Sequence, residues 1–365
     1  MPYFREQQKD DKGSNIGIGV DIISSCNIRC KHCYFEKSEL ETKMMTLDQI
    51  KEIIEKSRGK LREFYILGGE PTLHPNLEQI VKLAAENMDL VVLVTNGLKL
   101  ADENFCQKIS HPKVMIHMHR KAVSEKGRDL VDSFCQKEGT FDLSQKAWKN
   151  VEKFWEGKVN AQLNIMRPFV DGGHILDVFR WARDTNIDPV IELVKSGPQF
   201  KRGCDFDVSS TEAGEIFGRL LEIDELHYPQ KAAKFLTPPY YGNSCTLPET
   251  GVHVLADGSV ISCISYSSIP LGNIFKDDID TILNSEIRKT MKDYKTWVVG
   301  PCRECSVFNY CHGACRGEVF WATGCPRASN LYCWNQQKGL TLRDMVPESC
   351  EGCILENHPG CGKKV

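Results

Sequence analysis

No stretch of this chain approaches the roughly 18 consecutive apolar residues that a membrane-spanning helix needs. The N-terminal MPYFREQQKDDKGSN lacks the apolar core of a secretion signal. Charge of one sign is also missing, since 46 Lys and Arg against 49 Asp and Glu leave a formal net charge of −3. Such a balance gives neither a nucleic acid nor an anionic membrane an electrostatic hold. Internal repeats and low-complexity tracts are absent. These absences lead us to expect a cytoplasmic, monomeric protein with no nucleic-acid or membrane partner. With 365 residues, 41% of them hydrophobic and 26% charged, the chain can bury a large domain and a smaller one.

What the chain has in excess is cysteine. Seventeen cysteines do not suit the cytosol as disulfides, because thiols are kept reduced there. The number is odd, and the residues cluster as C-x3-C-x2-C, C-x2-C-x5-C-x3-C and C-x2-C-x7-C. Metal ligation fits such spacing better than disulfides do. Zinc is the simplest competitor to iron, since paired C-x2-C units hold zinc well.

From residue 16 to about 204, short apolar runs alternate with amphipathic ones. IGIGVDII, REFYILGG, LVVLVTNG, KVMIHMHR, NAQLNIMR and PVIELVK read as strands. TLDQIKEIIEKSRG, NLEQIVKLAAENM, LSQKAWKNVEKFWEG and HILDVFRWARDTN carry helical periodicity. This alternation predicts an α/β fold with a parallel sheet covered by helices, either open or a partial six-unit barrel. Residues 1–15 form a short extension and 205–244 a connecting segment that begins with a helix. The 245–340 region is irregular and cysteine-rich, and 341–365 is a cysteine-bearing tail. A region with so little apolar pattern needs bound metal to hold it.

Cys26, Cys30 and Cys33 follow the first predicted strand, at the end where α/β folds place their chemistry. Three thiolates can hold three corners of a four-iron cluster and leave one iron open to a chelating amine and carboxylate. Cys26-x3-Cys30-x2-Cys33 followed by Tyr34 resembles the signature of radical S-adenosylmethionine (radical SAM) enzymes. The resemblance implies a 4Fe–4S cluster that binds SAM and cleaves it to a 5′-deoxyadenosyl radical. Gly68-Gly69-Glu70-Pro71, directly after the second strand, resembles the GGEP motif of the same family, which meets the SAM amino group. Glycines let the backbone approach closely, and Glu70 can accept from an ammonium. On the fourth strand this chain has His117-Met118-His119-Arg120 where relatives often show a Ser-x-Asp-Gly-like ribose turn. His117 and His119 share a face with Met115. They either contact SAM or substrate, or are structural histidines. Asn160, Gln162 and Asn164 share one face of the fifth strand and imply a polar cavity, or else an exposed edge.

Cys245, then Gly258-x4-Cys263, Cys302-x2-Cys305-x5-Cys311-x3-Cys315 and Cys333 resemble the SPASM domain of many radical SAM enzymes. The resemblance implies two auxiliary 4Fe–4S clusters with crossed connectivity. Cys302, Cys305, Cys311 and Cys333 would hold one, and Cys245, Cys263 and Cys315 three corners of the other. Its fourth ligand is a distant thiol, Cys204 or Cys325, or its iron is open. Cys350, Cys353 and Cys361 ligate a third cluster, complete the first, or bind zinc. Cys106 and Cys135 read as ordinary thiols in or near helices.

The expectation is therefore a partial TIM barrel of six β/α units followed by a SPASM domain, an oxidoreductase sensitive to oxygen. It would oxidise a peptide side chain or small metabolite, by dehydrogenation or crosslinking, with flavodoxin or ferredoxin as reductant. Only about fifteen residues precede the first strand, too few for a leader-binding domain. That favours a small metabolite, a short peptide sequence, or a protein presented by a separate partner. The competing readings are a redox-neutral epimerase with Cys204 as hydrogen donor, and a non-catalytic iron–sulfur scaffold or electron carrier.

Overall fold

Alternating apolar residues give six parallel strands: β1 (Gly17–Asp21), β2 (Glu63–Leu67), β3 (Leu90–Thr95), β4 (Val114–His119), β5 (Val159–Ile165) and β6 (Asp188–Leu193). They appear in a computed structural model that describes residues 16–35, 43–201, 203–231, 250–293, 298–306, 308–330 and 333. Among the described residues the sheet is open and nine-stranded, running β6-β5-β4-β3-β2-β1 and then on through β7 (Gly251–Val254), β8 (Ser259–Ile261) and β9 (Gly272–Asn273). This is the predicted partial barrel.

One face of each strand is apolar and packs beneath helices. Ile18, Val20, Phe64, Ile66, Leu93, Ile116, Met118 and Leu163 join one buried cluster with helix residues such as Ile53, Ile80, Trp148 and Val178. The helices are α1 (Leu47–Ser57), α2 (Leu77–Asn87), α3 (Glu103–Ile109), α4 (Arg128–Cys135), α5 (Thr140–Phe154), α6 (Arg167–Asp171), α7 (His174–Asp184) and α8 (Ser210–His227). Thr46 and Gln49 close a reciprocal capping box at the start of α1, and Ser209 with Glu212 does the same for α8. The sequence pattern did not show α3, α4 and α6, because helices of eight residues or fewer barely complete two periods. A buried bidentate pair, Arg183 Nε and Nη2 to the Asp224 carboxylate at 2.9 and 2.6 Å, fastens α8 onto α7.

The cysteine-rich half departs from the irregular domain that weak periodicity predicts. β7 (Gly251–Val254) pairs in parallel with β1, and β8 (Ser259–Ile261) and β9 (Gly272–Asn273) follow antiparallel. These strands are two to four residues long, too short to show alternation. Their pairing continues the barrel sheet directly beyond β1. The expected 1–15 extension, the 341–365 tail, Cys245, Cys350, Cys353 and Cys361 lie outside the described residues.

Candidate functional site

Cys26, Cys30 and Cys33 occupy the loop that leaves β1 at its C-terminal end, each half-buried with a free thiol. Burial pushes the Cys26 thiol up to about 11 and raises that of Cys33. Deep burial makes a bare thiolate costly, so ligation needs a compensating positive charge. Among the described residues, no three His, Cys, Asp or Glu side chains close on a single metal ion. Lys121, just after β4, lies within electrostatic reach of Cys26 and Cys30.

The Gly68–Pro71 turn seats directly on the segment that precedes Cys26. Gly69 N–H donates to Ile23 O and Glu70 N–H to Ser25 O, both at 2.8 Å. Gly68 has φ +142°, and a Cβ on it would stand 2.2 Å from Ile23 O. A Cβ on Gly69 would stand 2.3 Å from Ser24 O and 2.4 Å from Ser25 O. Backbone meets backbone here, which only glycine permits. In this cradle the Gly69 and Glu70 N–H groups are bonded to the thiol loop, so the carbonyls of the turn are the main-chain groups it offers a ligand.

Glu70 is 1% exposed, and the loops themselves use its carboxylate. Its Oε1 accepts from Thr72 N–H (3.0 Å), Thr72 Oγ1 (2.5 Å) and Thr95 Oγ1 (2.6 Å), and Oε2 from Asn96 N–H at 2.7 Å. Burial raises its pKa against those four donors. Glu70 thus ties the end of β2 to the end of β3. Asn96 in turn donates to Asn27 Oδ1 (2.8 Å) and lies 3.8 Å from Cys26 Sγ. Pro71 opens a short 3-10 turn after Glu70, and the exposed Tyr34 ring packs against Phe35, tilted by 32° with centroids 4.6 Å apart.

The second face of β4 and β5 carries polar side chains, and β5 is an interior strand paired with both β4 and β6. The amides of Asn160, Gln162 and Asn164 therefore belong to a polar inner face, with Asn160 and Gln162 buried, and not to an edge. Asn160 Nδ2 donates to His117 Nε2 at 3.1 Å, and His117 is 1% exposed. Burial, with Lys158 nearby, lowers the His117 pKa to about 3. Burial, Lys121 and His117 lower that of His119 to the same value. Both imidazoles are neutral. Gln162 Nε2 bridges Asn164 Oδ1 (3.2 Å) and Glu192 Oε2 (2.9 Å), and Asn164 Nδ2 donates to His32 Nε2 at 3.3 Å. His32 stands between Cys30 and Cys33, so the cavity and the thiol loop form one network. At the seam with β7, His253 Nε2 lies 2.9 Å from buried Asp21 Oδ2, in contact but not aligned as a hydrogen bond. A Cβ on Gly19, the register partner of His253, would stand 2.7 Å from Leu67 Cδ1.

The remaining cysteines fall into groups. Burial raises the Cys263 thiol, with Cys315 as the next contributor. Burial also raises Cys311, with Cys302 and Cys305 adding to it. Gly317 lets the Arg316–Thr323 helix close on the Cys263 turn, for its Cβ would stand 2.5 Å from Ser265 Oγ and 3.7 Å from Cys263 Sγ. Asn330 N–H approaches Cys302 Sγ at 3.2 Å, and Cys333 is half-buried. Glu318 of that helix accepts from Ser196 N and Oγ, both at 2.7 Å, and so docks the cysteine-rich region on the loop after β6. Cys204 sits farther along this loop, packed against the barrel core, and Cys325 is buried beside Val319 and Ala328. Cys106 is buried in α3.

Cys135 is the residue that sequence reasoning most undervalued, because its Sγ lies 3.9 Å from Cys30 Sγ. Thr95, Asn96, His32, Lys121 and the Asp21–His253 pair were also overlooked. Their shared signal is position, since all but His32 and His253 stand at or just past the C-terminal end of a barrel strand.

Residues 20–191 match the family model of the radical SAM superfamily, and residues 245–306 match SPASM, an iron–sulfur cluster-binding domain. The chain is 22% identical to mycofactocin maturase MftC of Mycolicibacterium smegmatis over 352 residues, covering 89% of this chain and 84% of that protein. It is also 22% identical to the subtilosin biosynthesis protein AlbA of Bacillus subtilis, over 73% of this chain and 59% of AlbA. Among solved structures, native anSMEcpe with bound AdoMet and Kp18Cys peptide shares the fold at TM-score 0.65 and 17% identity. That match covers 83% of this chain and 89% of the other. Streptococcus suis SuiB bound to precursor peptide SuiA superposes at TM-score 0.66 and 13% identity, covering 88% and 76%.

Proposed function

We infer, from the premise that the chain is a radical SAM enzyme with a SPASM domain, that it is a maturase oxidising a side chain of a peptide substrate. The observation that carries this is the seating of Gly68 and Gly69 on Ile23–Ser25, immediately before the cysteine triplet. That cradle fits the methionine end of SAM beside Cys26, Cys30 and Cys33. When bound, a 4Fe–4S cluster on these three thiols supplies the electron that cleaves SAM. Cys263 and Cys315, with Cys245, and Cys302, Cys305, Cys311 and Cys333 would hold two auxiliary clusters, which suit the net removal of electrons from substrate.

The chain's own residues do the positioning. Gly68 and Gly69 offer main-chain contact to the SAM amino group, while Glu70 holds Thr95 and Asn96 in register around it. Neutral His117 and His119 add no further positive charge to that of Lys121 beside SAM's sulfonium. Asn160, Gln162 and Asn164 present amide donors and acceptors of the kind that pair with a peptide main chain. Glu318 on Ser196 docks the cysteine-rich region on the loop after β6, at the C-terminal end of the barrel strands. The peptide reading draws its support from the maturases and peptide-bound structures that the chain resembles.

Anaerobic reconstitution followed by dithionite and SAM tests the reading. The native chain is expected to release 5′-deoxyadenosine, and Gly69→Ala to keep its iron but lose about 100-fold of that rate through misplacement. No 5′-deoxyadenosine from the iron-loaded native chain would leave an electron carrier. Coexpression with a small peptide encoded beside the gene, in heavy water, then separates the chemistries. Loss of two hydrogens in mass marks oxidation. Deuterium gained at carbon marks epimerisation, for which half-buried Cys204, on the loop after β6, is the candidate hydrogen donor.

A further inference from the structure

We propose that Cys135 is a positioning residue for Cys30, donating its S–H to the Cys30 sulfur and thereby raising the reduction potential of the cluster on the triplet. The inference rests on the reading that Cys26, Cys30 and Cys33 hold that cluster.

Cys135 ends α4, is 1% exposed, and stands 3.9 Å from Cys30, sulfur to sulfur. The contact is not incidental, because the residues on either side of Cys30 are fixed to the same helix end. Arg29 N–H donates to Cys135 O at 3.0 Å, and Lys31 N–H donates to Phe134 O at 3.1 Å. These are carbonyls of the last turn of α4, which have no partner within the helix. The ring of His32, one residue farther, packs 5.2 Å from Phe134. Thus α4 clamps the middle of the triplet loop through two main-chain bonds, a ring contact and a thiol.

Without metal, the Cys30 thiol is the donor and the Cys135 sulfur the acceptor. A ligating Cys30 carries no proton, so the bond can persist only with the direction reversed, from Cys135 to Cys30. A donor to a ligating sulfur stabilises the more negative, reduced cluster, and so raises its potential. The other two thiols have different surroundings. Cys26 has the Asn96 amide at 3.8 Å, and Cys33 has no side-chain donor among the contacts described above.

The test uses the full chain, reconstituted anaerobically, as native protein and as Cys135→Ala, Cys135→Val and Cys135→Ser. The readout is the potential at which the SAM-responsive electron paramagnetic resonance signal appears, with iron content alongside. Ala removes the donor, Val removes it while filling the volume, and Ser restores a donor. We expect unchanged iron, a more negative potential in Ala and Val, and a potential close to native in Ser. Equal potentials in native, Ala and Val would overturn the proposal, as would Ser grouping with Ala. So would a native signal blind to SAM that becomes responsive in Cys135→Ala, because Cys135 would then be ligating iron itself. Absence of any SAM-responsive signal in all four proteins, with triplet-to-alanine iron content unchanged, would instead overturn the underlying reading.

Discussion

The barrel half and the cysteine-rich half share one sheet but are held together in different ways. Barrel strands and helices contribute to a single buried apolar cluster that runs from Ile16 to Leu283, through β7 and β8. Beyond it, among the described residues, lie only two small groups, Tyr266–Ile269–Met291 and Val319–Cys325–Ala328. Apolar burial at about 25 cal/mol per Å2 carries the first region but can do little for residues 298–330. Each region also has a buried arginine, and the two have different partners. Arg183 meets a carboxylate on a neighbouring helix. Arg316, 2% exposed, meets main-chain carbonyls of Pro326 (3.3 Å), Ala328 (2.7 Å) and Gly313. Polar stitching of main chain, with cysteines alongside, is how a region without a core is built when metal completes it.

The sharpest break in this comparison comes from iron removal. Anaerobic chelation should strip amide protection from residues 298–330 while leaving residues 47–193 protected, as read by hydrogen exchange. Uniform loss across both regions would mean that the barrel also depends on metal. Next in size are the two arginines. Asp224→Ala removes the carboxylate that faces the buried Arg183, and should cost the barrel about 3–5 kcal/mol in denaturant unfolding. Arg316→Met strands carbonyls but no opposing charge, and should cost about 1–3 kcal/mol, confined to the cysteine-rich region. Reversal of that order, or loss of the barrel transition in Arg316→Met, would break the contrast.

The same contrast explains what could be read from the sequence. Barrel strands show in the sequence as short apolar runs between helical ones. In β2, Phe64 and Ile66 join the core beneath the helices while Glu63, Tyr65 and Leu67 take the other face. The parity that marks the core also marks the cavity, which is why His117, Asn160, Gln162 and Asn164 could be placed on an inner face. The triplet and the glycine turn were legible as spacing, but their juxtaposition depends on β1 pairing with β2. Cys135 was not legible. It is 105 residues from Cys30, on a helix of eight residues, and meets it through tertiary packing alone. Nor did the pattern reveal that β7 extends the sheet from β1. Four residues cannot display a period, and Asp21 meets His253 only across that pairing.

A smaller effect separates the two regions by pH. His117 is buried inside the barrel, and its pKa falls from the ordinary 6.5 to about 3. Above pH 6.5 folded and unfolded chains both hold it neutral, so it contributes no pH dependence there. Between 6.5 and 3 the unfolded chain binds a proton that the folded barrel refuses. Stability therefore falls with pH, by at most about 1.4 kcal/mol per unit for this one group. Carboxylates begin to titrate below about pH 5, so the window from 6.5 to 5 isolates the histidine. His117→Gln keeps a polar group near Asn160 but removes the titration. Denaturant unfolding of the barrel should then lose part of its slope between pH 6.5 and 5, with His32, His74 and His119 supplying the remainder. Hydrogen exchange in residues 298–330 should keep its native pH dependence in the same variant. An unchanged barrel slope would mean that His117 takes up its proton in the folded cavity, and that the polar face of the sheet is wetter than its packing implies.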